Sequence, residues 1–537
     1  MSNDSWSRRD FLRHSAVCGA SLGGLSAILE AKHAPAQVAR DSARPLASWG
    51  LQVGDVQGDR AIVWSRADRP SRMLVEWSLD ESFRHRKLVV GPLATDSSDF
   101  TARVDLDDLP PNADVFVRLS FEAFGSRGPK SAPVLGRFRS AARSCRDVRF
   151  VWGGDTAGQG WGIDLESGGM RAYEAMRQVA PDFFLHSGDN IYADGPMLPE
   201  VKDAVGNVVW RNAYLDVIPE KLKVAETLHE YRRAYLYNRY DANVLAFNAE
   251  VAQIWQWDDH EIINNWSPSK QLDSRYTISD VQTLVARGRQ AFLEYSPMRL
   301  VTRDALGRVY RKVPYGPDLD VFVLDMRSYR AGNGCNVETA PGPETAYLGR
   351  EQLDWLEREL RRSRATWKVI ASDMPLGLVV GDGTDTTLGC ARFENSANGD
   401  GPLLGREFEI AEVLSFIKHA RVQNVVWFTA DVHYCAAHYY DPSVAQFQDF
   451  EPFWEFVAGP LAAGTFGPNG LDNTFGPTVI FQKAPPAGQA NLSPKDGMQF
   501  FGQVDIDQHS KRMRVALKDI DGVELYSQEL EPSGLRW

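Results

Sequence analysis

Five apolar runs between residues 149 and 431 are each followed by side chains that could hold a cation. A single Asp after a strand usually caps a turn or a helix. In an open α/β sheet, however, the carboxyl ends of the strands meet at one edge, so five such ends together predict a metal cluster there. The side chains that follow the five runs are, in chain order, Asp155; Asp189 and Tyr192; Asp258, Asp259, His260 and Glu261; Asp373; and Asp431 and His433.

The apolar runs alternate with helical patterns, which predicts an α/β sandwich from about Arg149 onward. Residues 348–362 and 407–419 have the periodicity of amphipathic helices. The tail beyond residue 500 returns to short strands. These elements would carry the candidate ligands to one edge of the sheet.

Residues from about Leu46 to Ser140 predict a different architecture. Runs rich in β-branched and aromatic residues, such as Met73–Trp77 and Val115–Leu119, are separated by turn signals such as Pro110–Asn112. Short strands at this spacing are typical of a small sandwich of the immunoglobulin or fibronectin type. The segment contains no cluster of acids and histidines, so we interpret it as a spacer or lid.

Composition narrows the possible functions. The chain has 537 residues, 43% hydrophobic content and a formal net charge of -12 at pH 7, which suits more than one globular domain. Because an acidic protein repels a phosphate backbone, nucleic-acid binding through bulk charge is disfavoured. The cysteines form no CxxC pair, so no thiolate zinc site is indicated. Four of them, Cys145, Cys335, Cys390 and Cys435, could form up to two disulfides, and the sequence leaves the pairing open.

The N-terminus resembles a twin-arginine export signal. Arg8 and Arg9 precede a Phe-Leu pair, a weakly apolar run follows, and Ala34–Ala36 offers a small-residue cleavage site. We therefore predict that residues 1–36 are a signal peptide, that the twin-arginine translocase is the export partner, and that the mature protein is periplasmic or secreted. The apolar run is too short for a membrane span, and no transmembrane segment is predicted elsewhere.

Three blocks are specific enough to indicate a family. They are Gly-Asp-Asn-Ile-Tyr at 188–192, Trp-Asp-Asp-His-Glu at 257–261 with an Asn pair at 264–265, and a Leu-Asp-x-Arg-x-x-Arg segment at 324–330. Their order resembles the metallophosphoesterase superfamily and, more closely, the alkaline phosphatase D (PhoD)-like family. The resemblance implies a four-layer metallophosphoesterase α/β sandwich over 145–537, preceded by a small fibronectin-like β-sandwich domain over 45–140. It also implies a hydrolase that acts on phosphate monoesters.

The resemblance further implies an iron(III)–calcium site. The ligands implied by position are Asp189 as the bridge; Asp155, Tyr192 and His433 on the iron; Asp259 and Asp431 on the second metal; and Asp373 in place of the remaining superfamily His. Carboxylate, tyrosinate and imidazole suit a hard trivalent iron, whereas all-oxygen ligands suit Ca²⁺ or Mg²⁺ better than zinc, so Mg²⁺ or another divalent ion is an alternative at the second position. The chain departs from the family at Gly154, where many members have a Cys.

The same resemblance suggests catalytic roles. A metal-bound hydroxide would attack phosphorus, and His260 would protonate the leaving group or hold the phosphate. Asn264 would contact the ester oxygens. Arg327, or else Arg330, would stabilise charge on the equatorial oxygens. We interpret His186, two residues before Gly188, as a buried structural residue.

Two other functions remain open on the sequence. A phosphodiesterase or phospholipase D-like esterase could use the same metal site if the pocket has room for two substituents. A non-catalytic cell-envelope protein could use cations only for structure. Calcium-binding loops, however, take their oxygens from one short segment, whereas the candidate ligands here come from five distant strands. This distribution favours an enzyme.

Overall fold

The structure, a computed structural model, describes residues 41–125, 128–300, 307–399 and 401–534. The predicted signal peptide at 1–36 lies outside these residues. From Ser42 onward the chain forms one compact unit. Among the described helices, none has the length and apolar character that a membrane crossing requires.

The described residues form six α-helices and 24 β-strands. The helices are α1 (Arg171–Gln178), α2 (Leu228–Asn238), α3 (Ala242–Glu250), α4 (Val281–Tyr295), α5 (Arg350–Arg362) and α6 (Glu407–His419). The strands before α4 are β1 (Leu51–Gln57), β2 (Arg60–Arg66), β3 (Ser71–Ser78), β4 (Lys87–Ala94), β5 (Thr101–Leu106), β6 (Asp114–Ala123), β7 (Val134–Arg139), β8 (Val148–Gly153), β9 (Phe183–Ser187), β10 (Glu200–Lys202), β11 (Val208–Arg211) and β12 (Ala252–Gln256). The later strands are β13 (Arg311–Pro314), β14 (Leu319–Val323), β15 (Trp367–Ala371), β16 (Gly381–Asp385), β17 (Cys390–Phe393), β18 (Val425–Thr429), β19 (Cys435–Tyr440), β20 (Phe453–Val457), β21 (Pro477–Lys483), β22 (Phe500–Ile506), β23 (Met513–Asp519) and β24 (Glu524–Leu530).

Two large sheets form the centre of the molecule. The first has the order β24-β23-β22-β8-β9-β12-β1-β2-β5, and the second has the order β13-β14-β15-β18-β20-β19-β21. Strands β8, β9, β12 and β1 run parallel in the first sheet, as do β14, β15, β18 and β20 in the second. The predicted ligands therefore follow parallel strands at the centre of each sheet.

The side-chain alternation of the central strands creates the layers. Successive residues of a strand point to opposite faces. Phe150 of β8 and Phe428 of β18 lie in the buried cluster between the sheets, with their rings 5.7 Å apart. Val151, one residue after Phe150, instead belongs to the cluster that includes residues of α1, α2, α3 and α4. Trp427 likewise lies among residues of α5 and α6. The result is the predicted four-layer order of helices, sheet, sheet and helices.

The N-terminal strands divide between two sheets. Strands β1, β2 and β5 extend the first large sheet, while β4-β3-β6-β7 form a separate antiparallel sheet. The junction is the parallel pairing of β1 with β12, where Gly54 lies opposite Gln253. A Cβ at Gly54 would come within 2.3 Å of the Pro297 carbonyl oxygen, so the close approach requires glycine. The β-rich segment is thus continuous with the α/β sheet, and the boundary between 140 and 145 stays a prediction.

One disulfide occurs in the described part of the chain, and it joins Cys335 to Cys390. It ties the hairpin formed by β16 and β17 to the loop after β14. Cys145 is an exposed thiol and Cys435 a buried one. The sequence left this pairing open, because four cysteines allow several combinations.

Candidate metal centre and active site

The five predicted strand ends meet at one edge of the paired sheets. The backbone N–H of Asp155, after β8, donates to the carbonyl of Gly188, after β9, at 3.3 Å. In the second sheet, the N–H of Ala430, after β18, donates to the carbonyl of Asp373, after β15, at 2.9 Å. Because parallel strands bring their carboxyl ends to the same edge, the loops that follow them are in direct contact.

Three overlapping groups of side chains at this edge have the geometry of cation ligands. Within each group, one potential ligand atom per residue lies within 4.8 Å of the others. Asp189 belongs to two groups, and Asp259 also belongs to two, so the groups form a chain. The groups are Asp155, Asp189 and His433; Asp189, Asp259 and His260; and Asp258, Asp259 and Asp431.

Four of these residues have backbone conformations that are uncommon for residues other than glycine. The φ angles are 68° at Asp155, 49° at Asp189, 66° at Asp431 and 59° at His433. Left-handed conformations at such residues persist when the surrounding structure enforces them, and they are frequent at functional sites. The strand ends thus turn sharply to direct these side chains into the site.

The first candidate cation position lies between Asp155, Tyr192 and His433. The Tyr192 hydroxyl is 2.7 Å from Nε2 of His433, and that nitrogen is 3.7 Å from Oδ1 of Asp155. Nδ1 of His433 donates to the carbonyl of Gly464, which leaves the Nε2 lone pair directed at the site. Burial lowers the pKa of His433 to about 4, so the imidazole is neutral and able to bind a metal.

The carboxylates fit a cation. Asp155 is fully buried, and neither of its carboxylate oxygens has a hydrogen-bond partner among the described residues. Oδ1 of Asp259 also lacks one. Burial, together with neighbouring carboxylates, raises the pKa of Asp155, Asp189 and Asp431 well above the ordinary range. A cation would remove this cost by favouring the ionised forms.

The structure explains the departure from the family at Gly154. A Cβ at this position would lie 2.9 Å from the Cβ of Ala430 and 3.1 Å from the carbonyl oxygen of Gly188. A cysteine therefore does not fit unless Ala430 moves. The neighbouring carboxylate of Asp155 belongs to the candidate group with Asp189 and His433, and its role as a ligand stays a prediction.

His260 is held by an acid that the sequence did not single out. Nδ1 of His260 lies 2.6 Å from Oδ1 of Asp194, and the other oxygen of Asp194 accepts the N–H of Asn264 at 2.9 Å. Nε2 of His260 faces Asp259 at 4.0 Å. Burial opposes the charge of the imidazolium, but Asp194 and Asp259 raise the pKa of His260 well above the ordinary range. The only sequence feature that could have indicated a role for Asp194 is its position two residues after Tyr192.

Arg327 lies behind the acids. Its guanidinium is fully buried and forms ion pairs with four carboxylates, including Asp373 at 2.9 Å and Asp431 at 3.5 Å. Oδ2 of Asp373 accepts a hydrogen bond from Nε of Arg327. Asp373 belongs to none of the three candidate groups. The geometry therefore places Arg327 and Asp373 in a buried salt-bridge cluster. The other two partners of Arg327 are Asp258 and Glu394.

Glu261 links two of the sequence blocks. Its Oε1 accepts from the side-chain amide of Asn190 at 2.9 Å, and its Oε2 accepts the N–H of Asp258 at 2.8 Å. It therefore fixes the loop after β9 against the loop after β12. Glu394 was missed because it comes directly after a short hairpin strand with no apolar run.

The remaining arginine and histidine of the sequence blocks are internal. Arg330 is buried, with its guanidinium 5.0 Å from the ring centre of Tyr347. His186 is buried, with Nε2 3.4 Å from the hydroxyl of Thr156. These positions agree with the structural role expected for His186.

Two adjoining cavities open at the site. A cavity of about 400 Å³ is lined by Asp189, Asp259, Asp431 and His433. A second cavity, of about 530 Å³, is lined by Tyr192, Asp194, Lys270 and Arg275. Both are lined by Gln159, His260 and Asn264. His260 and Asn264 thus lie at the junction of the two cavities. A ligand bound at the acids would pass these two side chains if it extended into the second cavity.

A four-layer α/β sandwich whose strand ends gather carboxylates, a tyrosine and histidines in this way defines a metallophosphoesterase-type hydrolase. The sequence itself specifies the group further. The family model of PhoD-like phosphatases matches residues 150–517, and the model of the PhoD-like phosphatase N-terminal domain matches residues 32–142. The chain belongs to the PhoD-like phosphatase family.

Relatives agree with this assignment. Alkaline phosphatase D of Bacillus subtilis (strain 168) is 27% identical over 455 residues, which cover 80% of this chain and 72% of the relative. Among solved structures, that of PhoD has a TM-score of 0.66 at 22% identity and covers 92% of this chain and 90% of its own. The structure of the purple acid phosphatase PPD1 from yellow lupin (Lupinus luteus) seeds has a TM-score of 0.53 at 12% identity. The match covers 91% of this chain and 74% of the lupin chain. The two structures show that the fold is shared.

The chain is therefore a phosphatase, and the predicted family, fold and enzyme class are confirmed.

Proposed function

We propose that this phosphatase hydrolyses phosphate monoesters at a site that holds two cations. The observation that carries the proposal is the position of Asp189, which shares one candidate group with Asp155 and His433 and another with Asp259. A carboxylate placed between two groups of ligands is suited to bridge two metal ions. This is the role that the sequence predicts for Asp189.

The residues of the first group suit Fe³⁺. A buried carboxylate, a tyrosine hydroxyl and a neutral imidazole lie together at Asp155, Tyr192 and His433, and these are hard ligands for a trivalent ion. We place the second cation at Asp259 and Asp431, which share a candidate group with Asp258. Their carboxylates offer oxygen ligands, which suit Ca²⁺ or Mg²⁺. When bound, two such cations would polarise the ester and lower the pKa of the attacking water.

The chain's own residues complete the site. His260, whose protonated form Asp194 favours, lies on the wall shared by the two cavities. It is placed to donate this proton to the leaving oxygen of the substrate. The exposed amide of Asn264 lies beside it and can donate to an ester oxygen, while Asp194 fixes the backbone of Asn264. Arg327 keeps the acids in position from behind.

The proposal is tested with para-nitrophenyl phosphate, the purified mature protein and a metal analysis. We expect turnover that a chelator abolishes and that added Fe³⁺ and Ca²⁺ restore. Asp189→Asn should lose at least about 100-fold in kcat, since it weakens both cation positions. Asp216→Asn changes an exposed acid and is the matched control. Normal turnover by Asp189→Asn, or activity in metal-free protein, would exclude the bridging role.

A second candidate activity, on phosphate diesters, is favoured by the second cavity. A diester carries two substituents, and the cavity of about 530 Å³ adjoins the acid-lined cavity at His260 and Asn264. Lys270 and Arg275 line this second cavity together with Asp194 and Asp273, so it suits a polar substituent. Comparison of bis(para-nitrophenyl) phosphate with the monoester decides between the two: a higher kcat/KM for the diester would replace the monoester proposal.

We also propose that residues 1–36 direct export through the twin-arginine pathway and that the enzyme acts in the periplasm or outside the cell. The proposal is supported by the arginine pair at Arg8 and Arg9. Replacement of both by Lys should leave the protein in the cytoplasm, which cell fractionation with an activity assay can measure. Unchanged export of the double variant would contradict it.

A further inference from the structure

A small internal cavity lies behind the active-site edge, between β9, β12, α2 and α3. It has a volume of about 30 Å³, and the polar residues of its lining include His186, Asn190, Tyr235, Arg239 and Gln253. It is separate from the two cavities of the active site, with which it shares no lining residue. The function proposed above does not use it.

Arg239 is the unusual member of this wall. It is only 3% exposed and forms no ion pair with a described residue. Its Nη2 donates to the side-chain oxygen of Gln52 at 2.7 Å and to the carbonyl of Tyr295 at 3.2 Å. Its Nε and Nη1 have no hydrogen-bond partner among the described residues. By contrast, the buried guanidiniums of Arg66 and Arg311 are each paired with a carboxylate.

The surroundings of Arg239 leave its charge unbalanced. The ring of Trp64 covers the guanidinium at 4.0 Å, and burial lowers the pKa of Arg239 to about 9. A buried cation with free donors is costly unless an anion or another strong acceptor meets it.

Two further buried polar atoms without described partners belong to residues that line the same cavity. The hydroxyl of Tyr235 is buried with no hydrogen-bond partner in the described chain, and so is Nδ1 of His186. The free N–H groups of the Arg239 guanidinium and the hydroxyl of Tyr235 are donors, which suit an anion rather than a metal ion. The acceptor Oδ1 of Asn190 is also free of described partners, and it suits a water molecule next to the anion.

We propose that this cavity is a halide-binding site that takes chloride. The volume of about 30 Å³ holds roughly two water-sized species. It therefore suits a single-atom anion beside one water better than a polyatomic anion such as phosphate or sulfate. The halide balances the charge of Arg239 and accepts from the Tyr235 hydroxyl.

The site would support the active-site loop without touching substrate. Asn190 directly follows Asp189, and its backbone carbonyl accepts from Asn238 of α2 at 2.8 Å. Its side chain bonds to Glu261 at 2.9 Å. A filled cavity therefore buttresses the loop that carries the proposed bridging acid, whether or not the metals are those proposed above.

The direct test is crystallography of the full enzyme grown with sodium bromide in place of chloride, with data collected at the bromine absorption edge. We expect an anomalous peak beside the guanidinium of Arg239 and the hydroxyl of Tyr235. Electron density for water alone, without an anomalous peak, would overturn the proposal.

A solution test uses thermal unfolding at constant ionic strength, with sodium chloride replaced stepwise by sodium methanesulfonate, whose anion is too large for the cavity. We expect a saturable rise in Tm with chloride, on the order of 2 °C. Arg239→Met should abolish the chloride response. Arg103→Met should keep it, since Arg103 is a buried arginine whose donors already bond to the carbonyls of Met298 and Glu294. Equal Tm of the wild type in both salts would overturn the proposal even if Arg239→Met does not fold.

Discussion

Replacement of Arg327 distinguishes a role in holding the acids from a direct role on the substrate. The Arg327 side chain is fully buried, with its Nε 2.7 Å from Asp258 and 2.9 Å from Asp373. The same guanidinium also pairs with Glu394 and Asp431. Arg327→Met keeps much of the side-chain volume but removes the one guanidinium that these four carboxylates share.

The size of the effect follows from this geometry. Loss of one partner from a buried ion pair costs about 3–5 kcal/mol, because the other charge stays buried and unpaired. Four carboxylates lose a partner here, so we expect the upper part of that range in the free energy of unfolding. Arg327→Lys keeps the charge but loses the forked geometry, and it should fall between wild type and Arg327→Met.

The assay is chemical denaturation of the metal-loaded protein, followed by fluorescence and by residual para-nitrophenyl phosphatase activity. Arg60→Met is the control, since Arg60 also pairs with an acid, Asp105, but its side chain is 49% exposed; it should cost less than about 1 kcal/mol. A supporting role for Arg327 is excluded if the free energy of unfolding of Arg327→Met stays within about 1 kcal/mol of wild type while kcat falls. That result would instead support the contact with substrate oxygens that the sequence suggested.

Three further predictions concern single positions. Asp194→Asn should lower kcat about 10- to 100-fold, because His260 loses the acid that orients and charges it; Asp273→Asn, an exposed acid on the same cavity wall, should change steady-state rates little. Burial raises the pKa of Glu407 to about 8 from 4.5, so the folded protein binds the extra proton between these values and loses stability as pH rises through this window. Glu407→Gln should therefore become more stable relative to wild type, by on the order of 1–3 kcal/mol in the free energy of unfolding, as the pH rises from 5 to 9. The same difference between variant and wild type at both pH values in chemical denaturation would contradict this. Gly154→Cys should cost about 1–3 kcal/mol by crowding the Cβ of Ala430 at 2.9 Å, and adding Ala430→Gly should recover much of the loss in thermal unfolding.

Local pattern was enough to predict the elements that build the site. The periodicity over 407–419 predicted α6 with the bounds that the structure has, and the apolar runs before Asp155 and Asp189 are β8 and β9. These predictions succeed because burial on both faces of a parallel strand requires a continuous apolar run. Where such a run ends, the polar residue that follows must lie at the sheet edge.

Contacts between loops could not be predicted from the sequence. The distance of 2.6 Å between Asp194 and His260 depends on how two loops fold over each other, and no local pattern encodes it. The pairing of β1 with β12 joins residues about 200 positions apart, so the extent of the N-terminal strands could not be read from their own alternation. The burial of Arg327 was missed because a motif gives residue types and spacing but no side-chain direction.

Charge balance connects the buried network to the proposed metals. Asp194 matches the charge of His260, and Arg327 offsets one further negative charge. Asp155 and Asp189 form no ion pair with a Lys or Arg among the described residues, and burial raises the pKa of both. In the absence of cations, part of this charge is therefore neutralised by protons. Binding of cations must release those protons, so the affinity of the site for metal has to rise with pH. If the proposed cations bind at these acids, such an enzyme favours its metal-loaded form at alkaline pH.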